Sequence, residues 1–169
     1  MDTLDAIFSR RSIRKYADQP VSDEMVKTLL RAAMAAPSAG NQQPWRFVVI
    51  KDKQTLRKVT EFHPHARMLL EAPVAVLVCA DPTVEKYSGR WPLDCSAATE
   101  NLLLAAHAKG LGAVWLAIYP VEERMKGMQE LLGIPAGIVP FCIVSIGYPG
   151  EEKAAENRYD KTKVHHDKW

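Results

Sequence analysis

The sequence predicts an α+β fold for this chain of 169 residues. Four short apolar runs have the length and composition of strands, and they cover residues 46–50, 73–80, 113–119 and 141–147. About six other segments carry apolar residues at helical spacing. Two of those helical segments precede the first strand, which does not fit the regular alternation of a doubly wound sheet. We therefore expect one sheet flanked by helices.

Two helices are expected before the first strand. Leu4, Ile7 and Phe8 stand at i, i+3 and i+4 spacing, which marks a short helix near the start of the sequence. A second helix begins at Ser22, a favoured N-cap residue. It ends before Pro37, because the residue that precedes a proline avoids the helical conformation.

The remaining helices follow the strands. Three are expected near residues 53–61, 66–71 and 121–132, and a long one covers about residues 94–109 with Gly110 after its end. Apolar or small residues extend nearly all round the long helix, so it must be buried on every face. It is either a central core helix or a helix that lies between the sheet and a second subunit.

The final segment, residues 151–169, is polar but contains Tyr159, Val164 and Trp169. Disordered tails seldom carry large aromatic residues. We therefore expect an extension of the single domain 1–169 that wraps a neighbouring protomer, and a disordered tail is the alternative.

Composition excludes several classes of protein. With 47% apolar residues, a chain of this length buries roughly 70% of its unfolded surface without disulfides or metals. The net charge is +2 and no block of Lys and Arg suggests a nucleic-acid partner. The three scattered cysteines favour a reducing cytoplasm. No segment has the features of a signal peptide or a membrane span.

Familiar catalytic and metal-binding signatures are missing. The sequence contains neither GxGxxG nor a P-loop. Ser38 lies in "APSAG", but this segment follows a helix and precedes a strand, the reverse of a nucleophile elbow. His63, His65, His165 and His166 lack partners at metal-ligand spacing, so we expect surface residues and no metal.

Two polar segments remain as candidate binding elements. The first is "RRSIRKY", in which Arg10, Arg11 and Arg14 offer guanidinium groups for a phosphate or carboxylate, and Ser12 adds a hydroxyl. Arg158 is a further candidate anchor. Taken alone, the arginine segment is more typical of a solvated basic surface than of a binding site.

The second segment is "PSAGNQQPW", residues 37–45, which has no charge and more amide side chains than a turn needs. A solvated connector is the plain alternative. Together, an arginine cluster and an amide-rich loop suggest a ligand with an anionic end and a hydrogen-bonding ring. FMN has that form, because amides match the alternating donors and acceptors of its pyrimidine edge.

These segments carry a resemblance to a known family. With "DCSAATENLLLAAHAKGLGAVWLA", "GYP" and the closing "VHHDKW", they make the sequence similar to the FMN-dependent nitroreductase family along essentially its whole length. The resemblance implies a nitroreductase-like mixed sheet flanked by helices, in an intertwined homodimer with two FMN sites at its interface. It also implies ping-pong hydride transfer from NADH or NADPH through the flavin to an acceptor such as a nitroaromatic or quinone.

The resemblance also implies which residues contact the flavin. One subunit would reach the phosphate and ring edge with Arg10, Arg11, Ser12 and Arg14, bind phosphate with Arg158, and place the backbone of Ala117 and Ile118 near N5 and O4. The other subunit would contribute Pro37, Ser38, Ala39, Asn41 and Gln43. No side chain is assigned a catalytic role, because flavin N5 carries the chemistry.

Two residues depart from the family pattern. Glu156 stands where many members have a lysine, and Ile118 is bulky where a small residue is usual beside N5. The sequence leaves the acceptor open, together with other flavin chemistry such as dehalogenation or flavin fragmentation. A flavin carrier or sensor without turnover and a structural domain without cofactor are the alternatives outside catalysis.

Overall fold

The structure is a computed structural model that describes residues 1–169. It confirms the α+β class, with five α-helices and four β-strands. In chain order these elements are α1 (Thr3–Ser9), α2 (Asp23–Met34), β1 (Trp45–Ile50), α3 (Lys53–Phe62), β2 (Val74–Ala80), α4 (Trp91–Ala108), β3 (Gly112–Ala117), α5 (Glu122–Leu132) and β4 (Val139–Gly147). No helix is both long and apolar enough to cross a membrane.

The four strands form one sheet in the order β1-β2-β4-β3. Every neighbouring pair is antiparallel. The parallel component of the expected mixed sheet is limited to an isolated bridge between Ser12 and Ala113, beside the edge strand β3. The segment that contains the arginines therefore extends the sheet at one edge.

Helices cover both faces of the sheet. Along β2 all seven residues are buried, because Val76 and Val78 face one apolar core and Ala75 and Leu77 face the other. The first core lies under α2 and α4, and the second lies under α3 and α5. Such burial on both faces explains why β2 reads as a continuous apolar run instead of an alternating one.

The long helix α4 begins three residues before the expected start at Asp94. The carboxylate of Glu85 accepts the amides of Arg90 and Trp91 at 2.8 and 2.7 Å, which supplies caps from the preceding loop. The helix ends as predicted. Gly110 has φ of +77°, and the amide of the next residue, Leu111, returns to an oxygen in the last turn.

Other elements also differ from the prediction in type or bounds. The helix expected at 66–71 is a short 3-10 turn, Arg67–Leu70. Strand β3 stops at Ala117 because the amides of Ile118 and Tyr119 both donate to the single carbonyl of Phe141, at 3.1 and 2.9 Å. The chain therefore leaves the ladder two residues earlier than the apolar run suggests.

Several apolar surfaces lie uncovered in the single chain. Helix α4 buries one face, whereas Leu93 on its opposite side is 63% exposed. In α1, Leu4 and Phe8 are exposed, as is Trp169 in the final segment. Burial of α4 on every face, as the sequence indicates, is thus not achieved within one protomer.

Candidate functional site

The arginine segment is held against the edge of the sheet by backbone contacts. The amide of Ile13 donates to the carbonyl of Ala113 at 3.1 Å, and the Ile13 side chain packs inward. A Cβ at Gly112 would lie 2.6 Å from Cγ2 of Ile13, so only glycine permits this approach. Because Ile13 points into the core, the neighbouring side chains Ser12 and Arg14 point away from it.

A buried tyrosine fixes the end of the same segment. The hydroxyl of Tyr16 lies 2.9 Å from the carbonyl of Ile13 and 3.1 Å from that of Ser145, and it accepts the Ser145 hydroxyl at 2.7 Å. Burial raises the pKa of Tyr16 far above its usual value, so the hydroxyl stays protonated. This network ties the arginine segment to β4.

Three of the predicted cations converge on one groove. Arg10, Arg11 and Arg158 line a groove of about 750 Å³ between α1 and the final segment of the chain. Ile7 and Phe8 supply an apolar wall. The structure thus brings together residues that are almost 150 positions apart in sequence.

The arginines of the groove differ in how much hydrogen-bonding capacity is free. Arg11 is engaged by the chain itself: its guanidinium donates to the carbonyls of Phe8, Arg10, Ala154 and Glu156 at 2.5 to 3.3 Å. It therefore clamps the final segment onto α1. Its guanidinium fork is therefore already occupied by the chain, and direct binding of a ligand by Arg11 stays a prediction.

Arg10 is engaged by a side chain instead of by backbone carbonyls. Its Nε lies 3.3 Å from a carboxylate oxygen of Glu100, but the pair lacks the angles of a hydrogen bond. The Nε atom is buried and has no hydrogen-bond partner. Because this atom is buried 3.3 Å from Glu100, it faces that carboxylate and not the groove, and the ion pair holds the Arg10 side chain in place.

The departure at Glu156 has a direct structural consequence. Its carboxylate accepts from Nε and Nη2 of Arg158 at 3.1 and 3.0 Å. Both side chains are exposed, so the pair is weakly held. Glu156 nevertheless occupies the same two donors that Arg158 would offer to a phosphate.

A second cavity, of about 440 Å³, lies beside the end of β3. Arg14 and Ala117, both predicted site residues, line it together with His63, His65 and Arg124. The carbonyl of Ala117 accepts from Nε2 of His63 at 3.0 Å and from Nη1 of Arg124 at 2.9 Å. Sequence reasoning missed Arg124, since its spacing carries no signal.

The prediction that His63 is a surface residue is wrong, whereas His65 is exposed as predicted. His63 is only 2% exposed. Its Nδ1 accepts the amide of His65 at 3.3 Å, so Nε2 carries the proton that is donated to Ala117. Burial, with a smaller effect from Arg124, lowers the pKa of His63. Its position after the end of α3 turns it inward, which local sequence does not reveal.

Ala117 and Ile118, whose backbone is expected to lie near N5 and O4 of the flavin, have different environments. Ala117 is exposed in the cavity, whereas the Ile118 side chain is fully buried in the core under α3 and α5. The bulk of Ile118 therefore points away from the cavity and does not narrow it. Only its backbone remains near the candidate site.

The amide-rich loop has an unusual backbone. Gly40, Asn41 and Gln43 have φ of +53°, +55° and +48°, in the left-handed region that L-residues seldom adopt. The amide of Gln43 donates to Oγ of Ser38 at 3.0 Å, and Nε2 of Gln43 donates to Oδ1 of Asn41 at 2.7 Å. Pro37, Asn41 and Gln43 are exposed, while Ser38 and Ala39 are half-buried.

One chain does not bring the two polar segments together. The amide loop precedes β1, at one edge of the sheet, and the arginine segment runs beside β3, at the other edge. Three strand spacings of about 4.8 Å separate these edges by roughly 14 Å. No hydrogen bond or ion pair joins the two segments.

Comparison with known proteins gives consistent matches. The sequence model of the nitroreductase family matches residues 7–72 and 63–148. A relative from Archaeoglobus fulgidus, named as an NADH dehydrogenase/NAD(P)H nitroreductase, is 51% identical over 172 residues, with 99% of each chain covered.

Solved structures are similar along the whole chain. A protein of the same name from Parabacteroides distasonis is 43% identical, with a TM-score of 0.95 over 99% of this chain and 98% of that one. A nitroreductase in complex with FMN from Desulfovibrio desulfuricans is 32% identical, with a TM-score of 0.85 over 100% and 98% of the two chains.

The environment of His63 predicts a pH-dependent stability. An unfolded histidine has a pKa of about 6.5, and the folded pKa is lower, so below this pH the unfolded state takes up the proton first. The stabilisation is complete above about pH 6.5 and is lost as pH falls through the folded pKa. His63→Gln keeps a donor for Ala117 but does not titrate. The free energy of unfolding, measured with urea, should therefore fall less steeply in this variant than in the wild type between about pH 7 and pH 5.

His166→Gln, at an exposed position, is the matched control and should leave that slope unchanged. Burial, with Arg10 and Arg11, also lowers the pKa of His107, so some slope remains in the His63 variant. Equal slopes for the wild type and His63→Gln would contradict the assignment.

Proposed function

The chain belongs to the nitroreductase family, and from that premise we propose that it is an FMN-dependent oxidoreductase. It takes hydride from NADH or NADPH and passes it to an electron acceptor such as a nitroaromatic or a quinone. The observation that carries the proposal is the groove in which Arg10 and Arg158 converge. The same arginine segment also contributes Arg14 to the second cavity, which Ala117 lines at the end of β3.

The groove suits the phosphate end of FMN. Arg10 and Arg158 both line it, and Arg158 has a guanidinium fork that an exposed carboxylate occupies only weakly. Ser12 adds a hydroxyl on the same segment. Arg11 contributes indirectly, because it fixes the final segment that carries Arg158. Charge-assisted hydrogen bonds of this kind are the strong ones for phosphate.

The second cavity suits the ring of FMN. Arg14 provides a cation for the pyrimidine edge, and the exposed Ala117 provides backbone without a bulky side chain. FMN, when bound, supplies the N5 atom that accepts hydride from the nicotinamide and delivers it to the acceptor. The protein holds the ring, and Arg14 stabilises the negative charge of its reduced form.

The amide loop completes the site only if it comes from a second copy of the chain. It lies at the opposite edge of the sheet from the arginines, and its side chains Ser38, Asn41 and Gln43 are placed to donate and accept. Uncovered apolar residues on α1 and α4 provide a surface for this second copy. We propose a homodimer in which residues 151–169 wrap the partner.

The phosphate contacts predict changes in FMN affinity. Arg158→Ala removes a charge-assisted contact worth about 1.5–3 kcal/mol, so FMN should bind about 10–150-fold more weakly. Glu156→Gln removes the competing carboxylate and should tighten FMN binding. Fluorescence titration with FMN measures both, and Arg57→Ala, at an exposed arginine on α3, is the matched control. Unchanged binding in Arg158→Ala would place the phosphate elsewhere.

Subunit complementation tests the shared site. Arg14→Ala and Asn41→Gly each damage both sites of their own homodimer, and glycine tolerates the positive φ of position 41. A heterodimer of the two variants, purified through different tags, contains one undamaged site if loop and arginine come from different chains. It should bind about half the FMN of the wild-type dimer. No recovery would mean that both segments serve the same subunit's site.

Steady-state kinetics tests the reaction. A single pocket used in turn by NAD(P)H and the acceptor should give parallel double-reciprocal lines when both concentrations are varied. Intersecting lines would mean that donor and acceptor are bound together. A protein that binds FMN but shows no turnover with any nitroaromatic, quinone or free flavin would instead be a carrier.

A further inference from the structure

The shape of the amide loop depends on one buried carboxylate outside it. Asp94, in the first turn of α4, is 5% exposed. Its Oδ1 accepts the backbone amide of Ala39 at 2.9 Å, and its Oδ2 accepts Nε2 of Gln42 at 2.6 Å. Both oxygens of the carboxylate are thus engaged by the loop.

Gln42 also bonds a third segment, the loop that follows β2. It is buried, at 6% exposure, and its Oε1 accepts the amides of Lys86 and Tyr87 at 3.0 and 3.3 Å. A Cβ at Gly40 would lie 2.5 Å from the ring of Tyr87, so the loop backbone packs directly on that side chain. Asp94 and Gln42 therefore join the amide loop, the loop after β2 and the start of α4.

A carboxylate is the group that this position requires. The amide of Ala39 and the Nε2 group of Gln42 are both donors, and an ionised carboxylate is an acceptor only. No cation forms an ion pair with Asp94. The first turn of α4 supplies a positive dipole end, and the two hydrogen bonds satisfy the oxygens, which together make burial of the charge tolerable.

Without the hydrogen bonds to Asp94, we expect the backbone of the amide loop to relax. Asn41 and Gln43 hold left-handed backbone conformations, and for Gln43, which unlike Asn seldom adopts them, the cost is on the order of 1–2 kcal/mol. Such conformations persist only where the surroundings over-determine them. The bonds to Asp94 and Gln42 lie between and beside these two residues, so they are part of the surroundings that fix the loop.

We infer that Asp94 is a positioning residue, which acts through Gln42 to aim Ser38, Asn41 and Gln43 at the ligand and thereby sets the affinity for FMN without touching it. The inference rests on the proposed function for the identity of the ligand. The restraint on the loop itself rests only on the hydrogen bonds.

An exchange of the amide and the carboxylate provides the test. Asp94→Asn sets an amide group against Nε2 of Gln42, so two donors can meet, and Gln42→Glu sets two carboxylates together. In the double variant every hydrogen bond has a donor and an acceptor again. The amide at position 94 accepts from Ala39 and donates to position 42, where the new carboxylate still accepts from Lys86 and Tyr87.

FMN titration of the dimeric variants gives the first readout. Each single variant should bind FMN about 10–100-fold more weakly, and the double variant should return to within about threefold of the wild type. Glu130→Gln, at an exposed carboxylate on α5, is the matched control and should bind FMN as the wild type does.

Amide hydrogen exchange of residues 38–43 in the FMN-free protein gives a second readout. Exchange should be faster in each single variant and return to the wild-type rate in the double variant. Single variants that bind FMN and exchange like the wild type would overturn the inference, as would a folded double variant as defective as either single variant. If the wild type binds no FMN, the proposed function is wrong, and exchange alone decides whether Asp94 holds the loop.

Discussion

The order of the strands is the constraint on which the candidate site depends. Because β1 and β3 are the edge strands, the amide loop and the arginine segment lie on opposite sides of the sheet. Two hydrogen-bonded inner strands stand between them, so no change of side-chain conformation closes the gap. This is why the proposed FMN site uses a second copy of the chain, for which the uncovered apolar residues on α1 and α4 offer a surface.

Helix α4 connects the separated parts. Asp94 in its first turn holds the amide loop, Glu100 in its middle faces Arg10, and His107 in its last turn bonds Ser9 at 2.7 Å. From Asp94 to His107 the helix rises about 20 Å, at 1.5 Å per residue. One rigid element thus fixes the position of both polar segments, while its outer face carries the apolar surface proposed for the dimer.

The positive charges of the site are not equivalent. The guanidinium of Arg11 donates to backbone carbonyls and holds the final segment against α1, whereas Arg10 forms an ion pair with Glu100. Arg158 is engaged by Glu156, whose negative charge lowers the local positive potential. The positive charge open to the proposed anionic ligand therefore depends on how far the chain already engages each arginine, rather than on how many arginines the sequence contains.

The sequence by itself determined the elements with local signals: Ser22 caps α2 and accepts the amide of Met25 at 3.2 Å, and Gly110 closes α4. It also determined which segments carry guanidinium and amide groups, because composition is visible without a fold. Only the tertiary structure decided that Ile118 turns inward and His63 is buried. Only the folded chain also brings the guanidinium of Arg11 to the carbonyl of Ala154, 143 positions away in sequence. The reason is physical: caps and periodicity depend on neighbours within a few residues, whereas burial and hydrogen-bond partners depend on groups that meet only when the chain has folded.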